Sequence, residues 1–361
     1  MKIIKTFYLY IMSKLISQGA YGCVYKPGIK ADGTKESSKY VSKIQLNKDR
    51  TENEPIIGKI IIEKINNHER YFAPALSVHR TTPSVIKSSE RSKCKILDEK
   101  KKQDFVSVKI KYVGKDTLHD HMKNHKETNN FSFLQHMLDT HIYLACAVEE
   151  LSKQKIVHHD IKANNVMYND QQKLPILIDF GVSFQLSELF SEEVMRTVFF
   201  TSYEKYPPWC FEVICIGSIV KETGWEKRKV KGKKLESHLS TYLENNPIIS
   251  IQKNIADCKK KWKTYINTLD NMCGKKAVNE LLEKWNTWDM YSVNVMYLMF
   301  VYNYGWYDNV HPCIKPYVDY LVSQITCIPS KRNDASTTIS ELQKLVHGIK
   351  KIDYVSFQEE S

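Results

Sequence analysis

The sequence predicts an α+β protein of two lobes, a small β-rich N-terminal lobe and a larger, mostly α-helical C-terminal one. Three observations predict it. Strand-like alternation and glycine turns fill the chain before residue 113, and apolar residues recur at helical spacing from residue 133 onward. The 361 residues, 42% hydrophobic and 26% charged, are enough to bury two sizeable cores and do not have the composition of a disordered chain.

The elements follow in order. Residues 1–14 read as a short extension: "MKIIKTFYLYIMSKL" has a lysine and an apolar run but lacks the small-residue cleavage site of a signal peptide, and Met12 is an alternative start. Residues 15–25 and 40–46 read as strands, because β-branched and aromatic residues flank a glycine turn and "YVSKIQL" alternates. Residues 54–66 carry Ile57, Ile60, Ile61 and Ile65 on one helical stripe. Residues 105–112, "FVSVKIKY", alternate with period two, and the lobes connect near 112–118. A helix is expected over 133–153, with Leu134, Leu138, Ala145 and Val148 on one side and Ser132 as its cap. A strand over 172–178 precedes helices at 277–284, 291–304, 316–327 and 336–349. The apolar run 291–307 is broken by Asn294 and Asn303 and suits a buried helix better than a membrane span. Residues 213–288 show little pattern. Their basic run "WEKRKVKGKK" (225–234) reads as a solvated loop in an insertion rather than a nuclear signal or nucleic-acid patch.

The 53 Lys+Arg against 41 Asp+Glu give a formal charge of +12, which favours anionic partners without choosing among them. Nine cysteines, scattered and with no Cys-x-x-Cys pair, indicate neither a zinc knuckle nor a disulfide framework. Reduced thiols in an intracellular, non-secreted setting are expected.

The chemistry concentrates in "HHDIKANN" (158–165) and "IDFG" (178–181). Beside a magnesium-bound nucleotide each polar side chain has a role. Asp160 orients or accepts the proton of an acceptor hydroxyl, and Lys162 neutralises charge on the moving phosphoryl. Asn165 and Asp179 offer the neutral and anionic oxygens that hard magnesium prefers. Far upstream, "SQGAYGCVYK" (17–26) places Gly19 and Gly22 in a strand-turn-strand, where glycine lets a backbone approach phosphates closely. Lys43 lies on an apolar strand and needs an anion, for which Glu54 is the first candidate and Glu52 the competitor.

In that order these residues resemble the eukaryotic-type serine/threonine protein-kinase superfamily, over nearly the whole chain. Residues 19–24 look like its glycine-rich loop, Lys43 like the strand lysine of V-A-I-K, and 158–165 like H-R-D-L-K-x-x-N, while 179–181 is D-F-G unaltered. "WDMYSVNVMY" (288–297) is similar to the family's central buried helix, with Asp289 bracing the catalytic loop, and "IPSKRNDAS" (328–336) to its D-P-x-x-R segment, with Arg332 as the arginine. The resemblance implies a bilobal protein-kinase-like fold with a domain over 15–350, lobes 15–113 and 114–350, an insertion over about 213–288 and a tail over 351–361. It implies ATP and Mg2+ as cofactors, with Mn2+ as a substitute, and transfer of the γ-phosphate to Ser/Thr hydroxyls of proteins. Lys162, two residues after Asp160, accompanies Ser/Thr specificity in the family. Asp160, Lys162 and Lys43 would be catalytic and Asn165 and Asp179 metal-binding. Ile16, Ser17, Gln18, Gly19, Ala20, Tyr21, Gly22, Cys23, Val24, Lys43 and Glu54 would line the nucleotide. Neither membrane nor nucleic acid is required.

The departures carry expectations too. Ser17 stands where the first loop glycine is usual, and His159 where the arginine of H-R-D receives an activation-loop phosphate; control by that phosphorylation is not expected. In place of A-P-E the chain reads "YPPWCFE" (206–212), so the glutamate is displaced, with Glu212 as the candidate, and the partner of Arg332 is open. Thr201 is the candidate threonine beside the catalytic loop. These features, with "RYFAPAL" (70–76), look like kinases of large nucleocytoplasmic DNA viruses, for which host cytoplasm or virion would be the setting. The rival readings are a pseudokinase or nucleotide-binding scaffold with little turnover, and a small-molecule kinase, which the 288–297 and 328–336 segments disfavour.

Overall fold

The alternating segments become an antiparallel sheet in a computed structural model of the chain, which describes residues 13–19, 22–30, 33–47, 51–99, 103–125, 130–189, 191–200, 203–253, 255–307 and 311–349. Two compact units emerge. One gathers described residues up to 66 with 73–113 and 179–181; the other gathers 67–72, 114–178 and 182 onward.

The first unit holds β1 (Lys14–Gln18), β2 (Gly22–Lys26), β3 (Tyr40–Leu46), α1 (Asn53–Lys64), β4 (Ala75–Thr81), α2 (Ser88–Arg91), α3 (Lys95–Glu99) and β5 (Phe105–Lys111). The five strands are ordered β1-β2-β3-β5-β4, each pair antiparallel. Alternation sorts their side chains to two faces: Cys23, Tyr25, Ile44 and Phe105 pack with Ile86 and Leu97 on one, Val106 and Val108 with Ala75 on the other. Helix α1 buries Ile57 and Ile61, as the stripe requires, and meets β4 at Gly58, where a Cβ would stand 2.2 Å from the Ala75 carbonyl oxygen. Strand β4 is not among the elements expected from sequence.

The expectation of reduced cysteines fails at one pair. Cys23 and Cys94 are joined by a disulfide across a separation of 71 residues, and both are fully buried. Packing of the 88–99 segment on the β1–β2 hairpin brings their Cα atoms to 6.2 Å, within the range a disulfide spans. Glu90 accepts from the Leu15 amide (2.9 Å) and Gln18 from the Lys95 amide (3.2 Å). The other seven cysteines are free.

The second unit begins with α4 (Leu118–His125) and α5 (Asn130–Lys153), so Ser132 lies inside the helix it was expected to cap. Short strands β6 (Ile156–Val157), β7 (Val166–Asn169), β8 (Leu174–Leu177) and β9 (Phe184–Gln185) pair as β6–β9 and β7–β8 and frame the segment between them. Then come α6 (Glu192–Val198), α7 (Phe211–Val220), α8 (Gly232–Asn245), α9 (Ile255–Leu269), α10 (Gly274–Leu282), α11 (Trp288–Asn303), α12 (Lys315–Thr326) and α13 (Ala335–Gly348). Helix α11 is buried from Trp288 through Leu298, and no helix among the described residues is long and apolar enough to cross a membrane.

The stretch expected to be poorly patterned is largely helical. Leu235, Leu239, Tyr242 and Leu243 line the buried side of α8, and Cys258, Trp262, Ile266 and Leu269 that of α9, each at helical spacing. Nor is the basic run only a solvated loop. Its lysines are exposed, but Trp225 and Val230 are buried and its C-terminal end enters α8.

Candidate active site

The sequence-predicted residues fall into two groups, one in each unit. In the β-rich unit, residues 16–19 and 22–24 occupy the β1–β2 hairpin; Ala20 and Tyr21 lie outside the described residues. The Gly19 amide donates to the Gly22 carbonyl (2.9 Å) and closes the turn. At Gly22 the neighbouring strand leaves no room for a side chain, since a Cβ there would stand 2.4 Å from the Ile44 carbonyl oxygen. Gly19 has open space around it.

Lys43 pairs in register with Val24. Its Nζ lies 2.6 Å from Asp179 Oδ1 and 3.7 Å from Glu54 Oε2, so α1 supplies Glu54 while Glu52 is exposed. Burial works against the Lys43 ammonium, yet the carboxylates of Glu54 and Asp179 outweigh it and hold its pKa above the usual lysine range. Glu54 is 1% exposed, and burial pushes its carboxyl up while Lys43 pulls it back. Asp179 has φ 65, a left-handed backbone uncommon outside glycine, which turns the chain sharply before Phe180 and Gly181.

In the helical unit the 158–165 segment is braced from α11. Asp289 accepts from the amides of His158 (2.7 Å) and His159 (2.9 Å), and the Ser183 hydroxyl donates to the His158 carbonyl (3.0 Å). Burial pushes the Asp289 carboxyl above its ordinary range, and His158 with the two amide donors pulls it back. Asp160 is then ringed. Lys162 Nζ reaches Oδ1 (3.1 Å) and Oδ2 (3.0 Å), Asn165 Nδ2 reaches Oδ2 (2.8 Å) and the Asp160 carbonyl (2.9 Å), and the Tyr206 hydroxyl donates to Oδ1. With its nitrogen spent on Asp160, Asn165 keeps its carbonyl oxygen as the atom for a metal. That oxygen is a hard donor of the kind Mg2+ takes, and in the β-rich unit the Asp179 carboxylate, with about a third of its side chain exposed, is another.

His159, 3% exposed, has φ 67 and lies stacked on Trp209 (ring centroids 5.2 Å) with Phe184 and Phe199 at its edges. Arg332 finds its partner in the displaced glutamate. Its guanidinium grips Glu212, at the start of α7, through Nη1–Oε1 (2.6 Å) and Nη2–Oε2 (3.1 Å), with both side chains buried. Thr201 lies outside the described residues; a hydroxyl that does meet Asp160 and Lys162 is that of Tyr206, which the sequence reading missed.

Residues 10–206, more than half of the chain, match the family model of the protein kinase domain. The chain belongs to this family. No curated protein matches it significantly. The match ends at Tyr206, so Glu212, Asp289 and Arg332 lie beyond the matched residues. The β-rich and helical units are the two parts of the bilobal α+β kinase fold.

Proposed function

We propose that this kinase domain is catalytically competent and transfers the γ-phosphate of ATP, held with Mg2+, to serine and threonine hydroxyls of proteins. The observation that carries the reading is Asp160, held by Lys162 and Asn165 on a loop that Asp289 clamps from below. Such a carboxylate is placed to orient an acceptor hydroxyl, and positioning with electrostatics supplies most of phosphoryl-transfer catalysis. Lys43, charged beside Glu54 and Asp179, supports the nucleotide half of the reading. Lys162 supports the Ser/Thr preference.

The test incubates the full chain with labelled ATP, magnesium and a generic basic or acidic substrate protein. Label on serine and threonine is expected, with a loss of ~10²–10⁴-fold in Asp160→Asn and ATP binding retained. Bound nucleotide without transfer would establish the scaffold reading instead, and label confined to tyrosine would overturn the specificity.

A further inference from the structure

Tyr206 sits on the two residues of the segment that carry charge. Its hydroxyl donates to Asp160 Oδ1 and accepts from Lys162 Nζ at 3.0 Å, so one phenol bridges the carboxylate and the ammonium. Asn165 holds only the other oxygen, Oδ2. Lys162 reaches both oxygens, so the Tyr206 contact acts with it in fixing how the carboxylate is turned about its last torsion.

What holds Tyr206 is equally specific. Trp209 packs edge-on against its ring (5.1 Å) and donates from Nε1 to the His159 carbonyl (2.9 Å), and the Ser292 hydroxyl donates to the Pro208 carbonyl (2.6 Å). On the far side, Glu204 Oε1 meets His238 Nδ1 of α8, and His238 Nε2 meets the Ser218 hydroxyl of α7 at 2.9 Å. The imidazole thus bridges the two, with Nδ1 donating to the carboxylate and Nε2 meeting the serine hydroxyl. Glu204 and His238 are 17% and 20% exposed, so the contact is sheltered from water. Helix α8 lies beyond the matched kinase residues, in the stretch that sequence left without a role.

We propose that Tyr206 is a positioning residue for phosphoryl transfer, and that α8 holds it in place through the His238–Glu204 contact. The inference rests on the catalytic reading above. The additional helices thereby acquire a role, because they fix the end of the 182–209 segment and through it the orientation of Asp160 and Lys162. Loss of that orientation is costly because a small misplacement of a reacting group removes much of the rate.

The test compares wild type, Tyr206→Phe, His238→Ala, His238→Asn, Glu204→Ala and the Tyr206→Phe/His238→Ala double variant, all in the full chain. Expected is a fall in kcat of about tenfold or more in Tyr206→Phe and His238→Ala, with KM for ATP little changed. The double variant should be no worse than the worse single one, because His238 acts through Tyr206. His238→Asn, whose amide nitrogen reaches the place of Nδ1, should keep most of the activity. Hydrogen exchange at 158–165, read on the same proteins, does not depend on turnover and should quicken in Tyr206→Phe and His238→Ala. Multiplicative losses in the double variant, or unchanged exchange at 158–165, overturn the proposal. A wild type without turnover but with the exchange coupling refutes the catalytic reading and leaves the mechanical link standing. Should His238→Ala fold poorly, Glu204→Ala, which removes the acceptor and leaves α8 whole, carries the same expectation.

Discussion

Replacing Glu212 by glutamine leaves a guanidinium buried without its counter-charge. Arg332 and Glu212 have side chains 1% and 0% exposed and meet through two parallel contacts of 2.6 and 3.1 Å, so neither charge has water to fall back on. Burial disfavours the guanidinium, and the Glu212 carboxylate more than restores it. Two unit charges about 4 Å apart attract by about 4 kcal/mol at an effective dielectric constant of about 20. Removing one partner of a buried pair costs ~3–5 kcal/mol, much of it the penalty of the orphaned charge. At about 2–4 °C per kcal/mol for units of this size, Glu212→Gln should lower Tm by on the order of ten degrees. Urea and thermal unfolding of the full chain, followed by tryptophan fluorescence, read the shift, since Trp209 and Trp288 are buried in the same unit. The Glu212→Leu/Arg332→Leu double variant should recover much of the loss, because no charge then remains to be desolvated. A cost for Glu212→Gln under about 1 kcal/mol, the level of exposed ion pairs, would refute the reasoning.

Other expectations follow from the same geometry. Asp179→Ala should weaken the Mg2+-dependent thermal shift by ATP, since it removes the only carboxylate proposed as a metal ligand; an unchanged shift would exclude that role. Lys43→Met should depress transfer strongly with little effect on folding, checked by turnover beside Tm. The chain should lose stability in acid: burial lowers His141 to about 3 and His121 and His136 to about 4, so the unfolded chain takes up protons first as pH falls below about 6.5. The loss continues until the folded values are reached, is on the order of 4 kcal/mol for His141, and should flatten in His141→Gln when unfolding is measured from pH 7 to 4. Phosphatase treatment should leave activity intact; a drop of tenfold or more, ~1.4 kcal/mol in the barrier, restored by rephosphorylation at Ser183, Ser187, Ser191, Thr197, Thr201 or Ser202, would argue for phosphate control.

How much of this was legible depended on whether the signal was local. Strands β1–β3 and β5 announce themselves by alternation and helices α5, α10, α12 and α13 by apolar spacing, because burial of one face leaves a periodic trace, while α11, buried all round, shows as a nearly unbroken apolar run. Helices α8 and α9 leave the same trace at Leu235, Leu239 and Leu243 and at Cys258, Trp262 and Ile266. It was hidden among lysines that cover the opposite, exposed faces. The residues around Asp160 and Asp179 were readable because their order and spacing follow from chemistry on one short segment each. What stayed hidden is long-range. Cys23 and Cys94 carry no local spacing, the pairing of Glu212 with Arg332 spans 120 positions although Glu212 itself was readable as the displaced glutamate, and Tyr206 meets Asp160 only through a fold that sets 46 positions of sequence aside.

The arrangement around His159 connects these findings. In the kinase family an arginine at this position typically binds a phosphate and so orders the segment that follows. Here the imidazole is enclosed by Trp209, Phe184 and Phe199, its amide donates to Asp289, and its carbonyl accepts from Trp209. A side chain buried in this way has no room for a phosphate, and the same contacts already do the ordering that a phosphate would do. They anchor both ends of the segment, at Phe184 beside β6 and at Trp209 before α7. The Glu204–His238 contact adds a third anchor, from outside the matched kinase residues. Apolar packing of this kind is not switched by adding or removing one charge. Its energy is spread over several rings, each aromatic pair contributing about 0.5–1.5 kcal/mol beyond the area it buries. A segment with rings at Phe184 and Trp209 and an added helix at Glu204 has these anchors without a phosphate, which is why phosphatase treatment is expected to leave activity intact.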